Sequence, residues 1–293
     1  MIRVLLAAAL CPLAACTQLP VMPDIATQTP APHAQPTLSS FEFADPIVHK
    51  TLTVWSFAPT RLGAHAPVLI VMHGASRTAR GYCQAWAPHV ERKGYLLLCP
   101  EFSKREFPDA ESYNLGNLER PPGRGLAGSS FAIVERIFDA ATARYGNRSD
   151  RYTLYGHSAG GQFVQRMLWF YPQARVDIAL AANPGWYTWP DDGIEYPYGT
   201  AHAPPHDLSG AYARRFVLLL GEEDIDPQHP QLNRSQGAMA QGGNRLERGL
   251  RFFAAARDSA KRIDAPFAWT MQTVPGADHD NAKMAPAAAA LLP

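Results

Sequence analysis

The chain has 293 residues, 46% of them hydrophobic and 10% aromatic, which is enough apolar side chain for one large globular domain. Lys and Arg total 27 against 26 for Asp and Glu, a net charge of +1, and this excludes a partner selected by bulk charge, such as nucleic acid. The 26 prolines gather in the N-terminal stretch and between periodic segments, where elements must stop.

Residues 1–15 read as a short export signal: Arg3, an apolar run from Val4 to Leu10, then small residues, too short to span a bilayer as a helix. Leu13-Ala14-Ala15-Cys16 resembles the lipobox of bacterial lipoproteins. That resemblance implies lipidation of Cys16 and, with Thr17 rather than aspartate next, anchoring at the outer membrane facing the periplasm. An ordinary cleaved signal with an incidental cysteine is the other reading. Residues 16–46, rich in Pro, Ala, Thr and Gln, are expected to form a disordered tether, leaving 47–293 as the folded domain.

Within that domain Thr51–Phe57 alternates as a strand, and Pro67–His73 is a continuous apolar run of the kind buried on both faces of a parallel sheet. A helix over Arg80–Lys93 and a strand over Tyr95–Cys99, stopped by Pro100, complete a first strand-helix-strand unit. Phe102–Leu126 is a long irregular connection. Ser129 then caps a helix with the stripe Ile133, Val134, Ile137, Phe138 and Ala141, ended by Gly146. Tyr152–Tyr155 enters Gly156-His157-Ser158-Ala159-Gly160, followed by the helical pattern Phe163, Val164, Met167, Leu168. Strands follow at Asp177–Ala182, Phe216–Leu220 and Phe267–Val274, with an arginine-rich helix, expected to present a solvated face, at Arg245–Arg262. The predicted class is α/β, a mostly parallel sheet covered on both faces.

A serine between a strand and a helix, flanked by Gly156 and Gly160 that allow a strained turn, is a candidate nucleophile. It needs a base and a carboxylate, and in an open parallel sheet these lie past the carboxyl ends of later strands. Asp224 after Phe216–Leu220 and His279 after Phe267–Val274 meet that condition, with Asp226 open as an alternative acid. Ala159, at the helix start, offers its N–H to an oxyanion. The pieces His73-Gly74, Gly156 to Gly160, Gly221-x-x-Asp224 and His279 resemble an α/β-hydrolase of the polyhydroxybutyrate-depolymerase or feruloyl-esterase-like type. The resemblance implies ester hydrolysis by a Ser-His-Asp triad without a cofactor, and a second oxyanion donor at the Ala75 amide. His73 is expected to brace that turn, and Gly74 to let backbone approach the substrate oxygen.

Trp186 and Trp189 lie in an aromatic segment that either caps an acyl pocket or packs a long loop. His202, His206 and His229 read as exposed loop residues, and His157 as packed under the turn. Cys83 and Cys99 form either a disulfide or two buried thiols, and no Cys/His spacing suggests a metal. The reading is a membrane-tethered serine hydrolase acting on small or polymeric carboxylic esters. A peptidase of the same fold and a non-catalytic envelope lipoprotein remain open beside it.

Overall fold

The structure, a computed structural model, describes residues 37–118 and 125–293. The signal, Cys16 and the greater part of the expected tether lie outside them. An eight-stranded sheet runs in the order β1-β2-β4-β3-β5-β6-β7-β8. Its strands are β1 (Ser39–Ala44), β2 (Thr51–Phe57), β3 (Val68–Met72), β4 (Leu96–Pro100), β5 (Tyr152–His157), β6 (Val176–Ala182), β7 (Arg215–Gly221) and β8 (Trp269–Val274). β1 and β2 pair antiparallel, as do β2 and β4, and every later pairing is parallel. The helices are α1 (Ala79–Lys93), α2 (Ser130–Tyr145), α3 (Ala159–Phe170), α4 (Leu208–Tyr212), α5 (Gln236–Gln241), α6 (Arg245–Arg262) and α7 (Asn281–Ala290).

Strand residues alternate between two cores, as a two-residue side-chain period requires. Val68, Ile70 and Met72 of β3 join Leu96 and Leu98 of β4 beneath α2, α3 and α6, where Ile133, Phe163 and Phe252 meet them. Leu69, Val71, Leu97 and Tyr155 face the other way, against Trp86 and Val90 of α1 and Met284 of α7. The caps hold as the residue types suggest. Ser129 accepts the Ala132 N–H at 3.1 Å, and Gly146 closes α2 at φ 60°.

The expected tether needs correction at its C-terminal end. Ser39–Ala44 is a strand, and Asp45 beyond it accepts the amides of Ile47 and Val48 and the Arg136 Nε–H at 2.7 Å. The chain therefore enters the sheet at Ser39 rather than after Pro46. Pro100 does not stop the strand before it but is its last residue, paired with Val54.

Trp86 is fully buried and meets Tyr155 edge to face with centroids 4.6 Å apart. Trp86→Ala is expected to lower the unfolding free energy by about 3–5 kcal/mol in urea titrations, because the cavity forms between two layers that cannot collapse.

Candidate active site

β5 delivers the chain into a turn that only particular residues can make. Ser158 has φ 57° and ψ −117°, in the half of backbone space that L-residues avoid. A Cβ on Gly156 would lie 2.1 Å from the Gly160 carbonyl oxygen, and one on Gly160 would lie 2.1 Å from that of Met72. Both glycines are therefore required for β5 and α3 to meet this closely and lift Ser158 above β3. Ala159, the first residue of α3, has no carbonyl one turn back to accept its N–H.

Two later strands bring the partners. Past β7, Asp224 is 3% exposed, and past β8 the His279 side chain is 4% exposed. His279 Nδ1 lies 2.7 Å from Asp224 Oδ2, and its Nε2 lies 2.9 Å from Ser158 Oγ. A carboxylate only accepts, so Nδ1 carries the ring proton and Nε2 is free to accept from the serine hydroxyl. Asp280 caps α7 by accepting the Ala282 N–H at 2.9 Å, which pins the chain one residue beyond the imidazole. Asp226 is exposed and accepts the Gln228 amide, so the structure brings Asp224 rather than Asp226 to the ring.

The other Asp224 oxygen accepts from Arg245 Nη1 at 2.9 Å, within an ion pair whose members are 1% and 3% exposed. Asn183, at φ 43°, accepts the Gly221 amide at 2.7 Å and donates to the Asp278 carbonyl at 2.8 Å. One buried side chain thus ties the acid turn to the base turn.

The turn after β3 closes the site. A Cβ on Gly74 would lie 3.5 Å from the Ser158 Cβ and 2.8 Å from the Tyr82 hydroxyl. Ala75 follows, exposed. His73 Nε2 accepts the Phe102 N–H at 3.1 Å, so its Nδ1 donates to the Gly74 carbonyl at 2.9 Å, while the Tyr113 hydroxyl donates to the His73 carbonyl. Burial, chiefly, lowers the His73 pKa to about 3. His157 lies under the turn, hydrogen-bonded through Nδ1 to the Tyr82 hydroxyl and with its ring 4.9 Å from that of His279. Burial first, then His279 and Arg245, hold it well below the ordinary imidazole range.

The fold has counterparts among solved structures. Poly(aspartic acid) hydrolase-1 from Sphingomonas sp. KT-1 superposes with a TM-score of 0.82 at 40% identity, over 88% of this chain and 99% of its own. The chain belongs to the α/β-hydrolase family. As a member of that family it is a hydrolytic enzyme. LpqC, a poly(3-hydroxybutyrate) depolymerase from Bordetella parapertussis, is 31% identical over 87% of this α/β-hydrolase and 88% of its own chain, with a TM-score of 0.80. The S-formylglutathione hydrolase FrmB from Staphylococcus aureus, at 14% identity and a TM-score of 0.57 over 87% and 96% of the two chains, shares the fold. No protein-family model and no curated protein matches the chain.

Other expected site features fall elsewhere. Trp186 is buried, its ring 4.2 Å from the Arg166 guanidinium and 4.6 Å from Tyr198, and Trp189 borders a separate cleft with Asp258 and Arg262. Neither is among the residues lining the cleft beside His279. Cys83 and Cys99 are free thiols, both buried. Among the described residues no group of three His, Cys, Asp or Glu is placed to hold a metal ion. His202 and His206 are exposed, but His229 packs its ring 5.4 Å from that of His279. The solvated face assigned to α6 is corrected at Arg245 and Arg248, which are buried. Asn183, Arg245 and Tyr82 carried no signal in the sequence, since an asparagine after a strand, an arginine in a basic helix and a tyrosine near a helix start are all ordinary.

His73 and His157 are neutral in the fold and ordinary imidazoles once unfolded, so unfolding takes up protons below about pH 6.5. The stability they contribute is complete above that pH and falls on acidification by about 1.4 kcal/mol per pH unit for each ring, down to about 3 for His73. Urea titrations between about pH 6.5 and about pH 4 are expected to show this slope, with His157→Asn removing one ring's share.

Proposed function

We propose that this α/β-hydrolase cleaves carboxylic esters through an acyl-enzyme, with Ser158 as nucleophile, His279 as the base that becomes the acid, and Asp224 as the group that orients it. The reading rests on one observation, the continuous line from Ser158 Oγ through His279 to Asp224 at 2.9 and 2.7 Å. In the first step Ser158 Oγ bonds to the acyl carbon while its proton passes to His279 Nε2. The negative charge collects on the former carbonyl oxygen, facing the amides of Ala75 and Ala159, where loss of one donor costs about 3 kcal/mol. His279 then gives its proton to the departing alcohol oxygen, and a water repeats the sequence to release the acid. Asp224 keeps the imidazole in the required tautomer, and Arg245 occupies the other Asp224 oxygen in a buried pair.

Ester and amide substrates both have support. One similar protein is a poly(aspartic acid) hydrolase, whose polymer is joined by amides and carries a charge on every unit, and the other is a depolymerase of a neutral polyester. The cleft beside His279, about 410 Å³, is lined by Glu223, Asp226, Asp278 and Asp280 as well as the triad carboxylate. Lys283 pairs with Asp278, but Glu223 and Asp226 stand exposed, so a polyanion leaving on this side meets repulsion. The charge pattern therefore favours a neutral substrate over a polyanion, which accords with an ester polymer rather than poly(aspartic acid). For location we propose a lipid anchor at Cys16 in the outer membrane, with the catalytic domain in the periplasm.

A fluorophosphonate probe is expected to modify Ser158 in the wild type and not in Ser158→Ala, read by intact mass. Against a panel of short-chain nitrophenyl esters and peptide anilides, turnover of the esters is expected to dominate, and Asp224→Asn to lower it by about 10⁴-fold. Faster anilide turnover contradicts the ester reading, and an unmodified wild type contradicts the hydrolase mechanism.

A further inference from the structure

The loop after Asp224 carries an imidazole that the steps above do not use. His229 is half-buried, lines the same cleft as His279 and packs against it with the rings inclined at 71°. Its Nδ1 faces two donors, Arg245 Nη2 at 3.2 Å and the Gln231 backbone N–H at 3.1 Å. A ring nitrogen that accepts from two N–H groups carries no proton, so the neutral ring holds its hydrogen on Nε2. Protonation would set an N–H against the guanidinium. Partial burial, then Arg245 and His279, accordingly push the His229 pKa below the ordinary value. Among the described residues, Nε2 has no hydrogen-bond acceptor.

The ring is also held in place. Gln231 Nε2 donates to Ser76 Oγ at 3.2 Å, which ties the loop across to the turn after β3. The Leu232 amide donates to the His229 carbonyl at 2.9 Å. The loop thus runs from the acid side of the site to the oxyanion side, with one fixed, neutral N–H donor along it.

The chemistry decides which part of a substrate lies there. The acyl oxygen points to the amides of Ala75 and Ala159, and the oxygen that leaves takes its proton from His279. The alcohol portion therefore occupies the His279 side, where His229 is. We propose that His229 is a specificity-determining residue, donating Nε2–H to an oxygen on the alcohol portion, so that preferred substrates are esters whose alcohol itself bears a carbonyl acceptor. This rests on the hydrolase reading above.

The test uses one acyl group and two alcohols of equal length, 4-oxopentyl acetate and pentyl acetate. It reads the ratio of their kcat/KM values, which report the steps through acylation. Wild type is expected to favour the oxo ester by about tenfold, the size of one hydrogen bond. His229→Phe is expected to bring the ratio near one, and His229→Gln, which keeps an N–H at the same reach, to restore much of it. A wild-type ratio near one overturns the assignment and needs no substitution to be read. A ratio unchanged in His229→Phe also overturns it, even where both rates fall, since a structural role lowers both esters alike. Fluorophosphonate titration of the same samples separates the two failures: wild type that takes no label fails the hydrolase reading and the proposal with it, whereas labelled wild type without a preference fails the assignment of His229 alone.

Discussion

A carboxylate removed from water needs both of its oxygens occupied, and in this chain that need organises the site. Asp224 is almost wholly buried, with the His279 ring on one oxygen and the Arg245 guanidinium on the other. Removing either partner leaves a buried charge uncompensated, at about 3–5 kcal/mol. The imidazole therefore has one stable place and one tautomer, and both suit acceptance of a proton from Ser158. Arg245 also reaches His229, so one cation holds both the carboxylate bonded to the His279 ring and a second ring beside it.

This fixation depends on the sheet. The parallel strands β3, β5, β6, β7 and β8 each end at the same rim, and their turns supply His73, Ser158, Asn183, Asp224 and His279 in that order. Asn183 spans three of those turns with its side-chain amide and bears no reacting group. The strain at Ser158 is held by two cores pressing on β5 from opposite faces, and by glycines that let α3 and β3 approach it.

The central fold was readable because β3, β4 and β7 carry unbroken apolar runs, and the turn at Ser158 because its glycines have a steric reason. β1 was not readable. Ser39–Ala44 is an edge strand with one buried side chain, Phe43, and its order comes from pairing with β2 and from the Asp45–Arg136 contact, neither of which leaves a periodic trace. α7 was hidden by Pro286 and by a run of alanines with little contrast between faces. The acid was narrowed to Asp224 or Asp226, a choice of two residues that only the direction of the turn resolves. Arg245 and Arg248 resisted reading for a different reason: a buried guanidinium is specified by distant acceptors, here Asp224 for one and the carbonyls of Gly242, Gly185 and Asn233 for the other. The hydrogen bonds that orient His229 come from similarly nonlocal partners.

If Ser158 and His279 act as one unit, removing the second after the first has little left to cost. The direct measurement is kcat/KM for ester hydrolysis in Ser158→Ala, His279→Ala and the double variant, with folding verified for each. The account predicts that the double variant is no worse than the more impaired single one. Losses that multiply, so that the two side chains contribute independently, would contradict it.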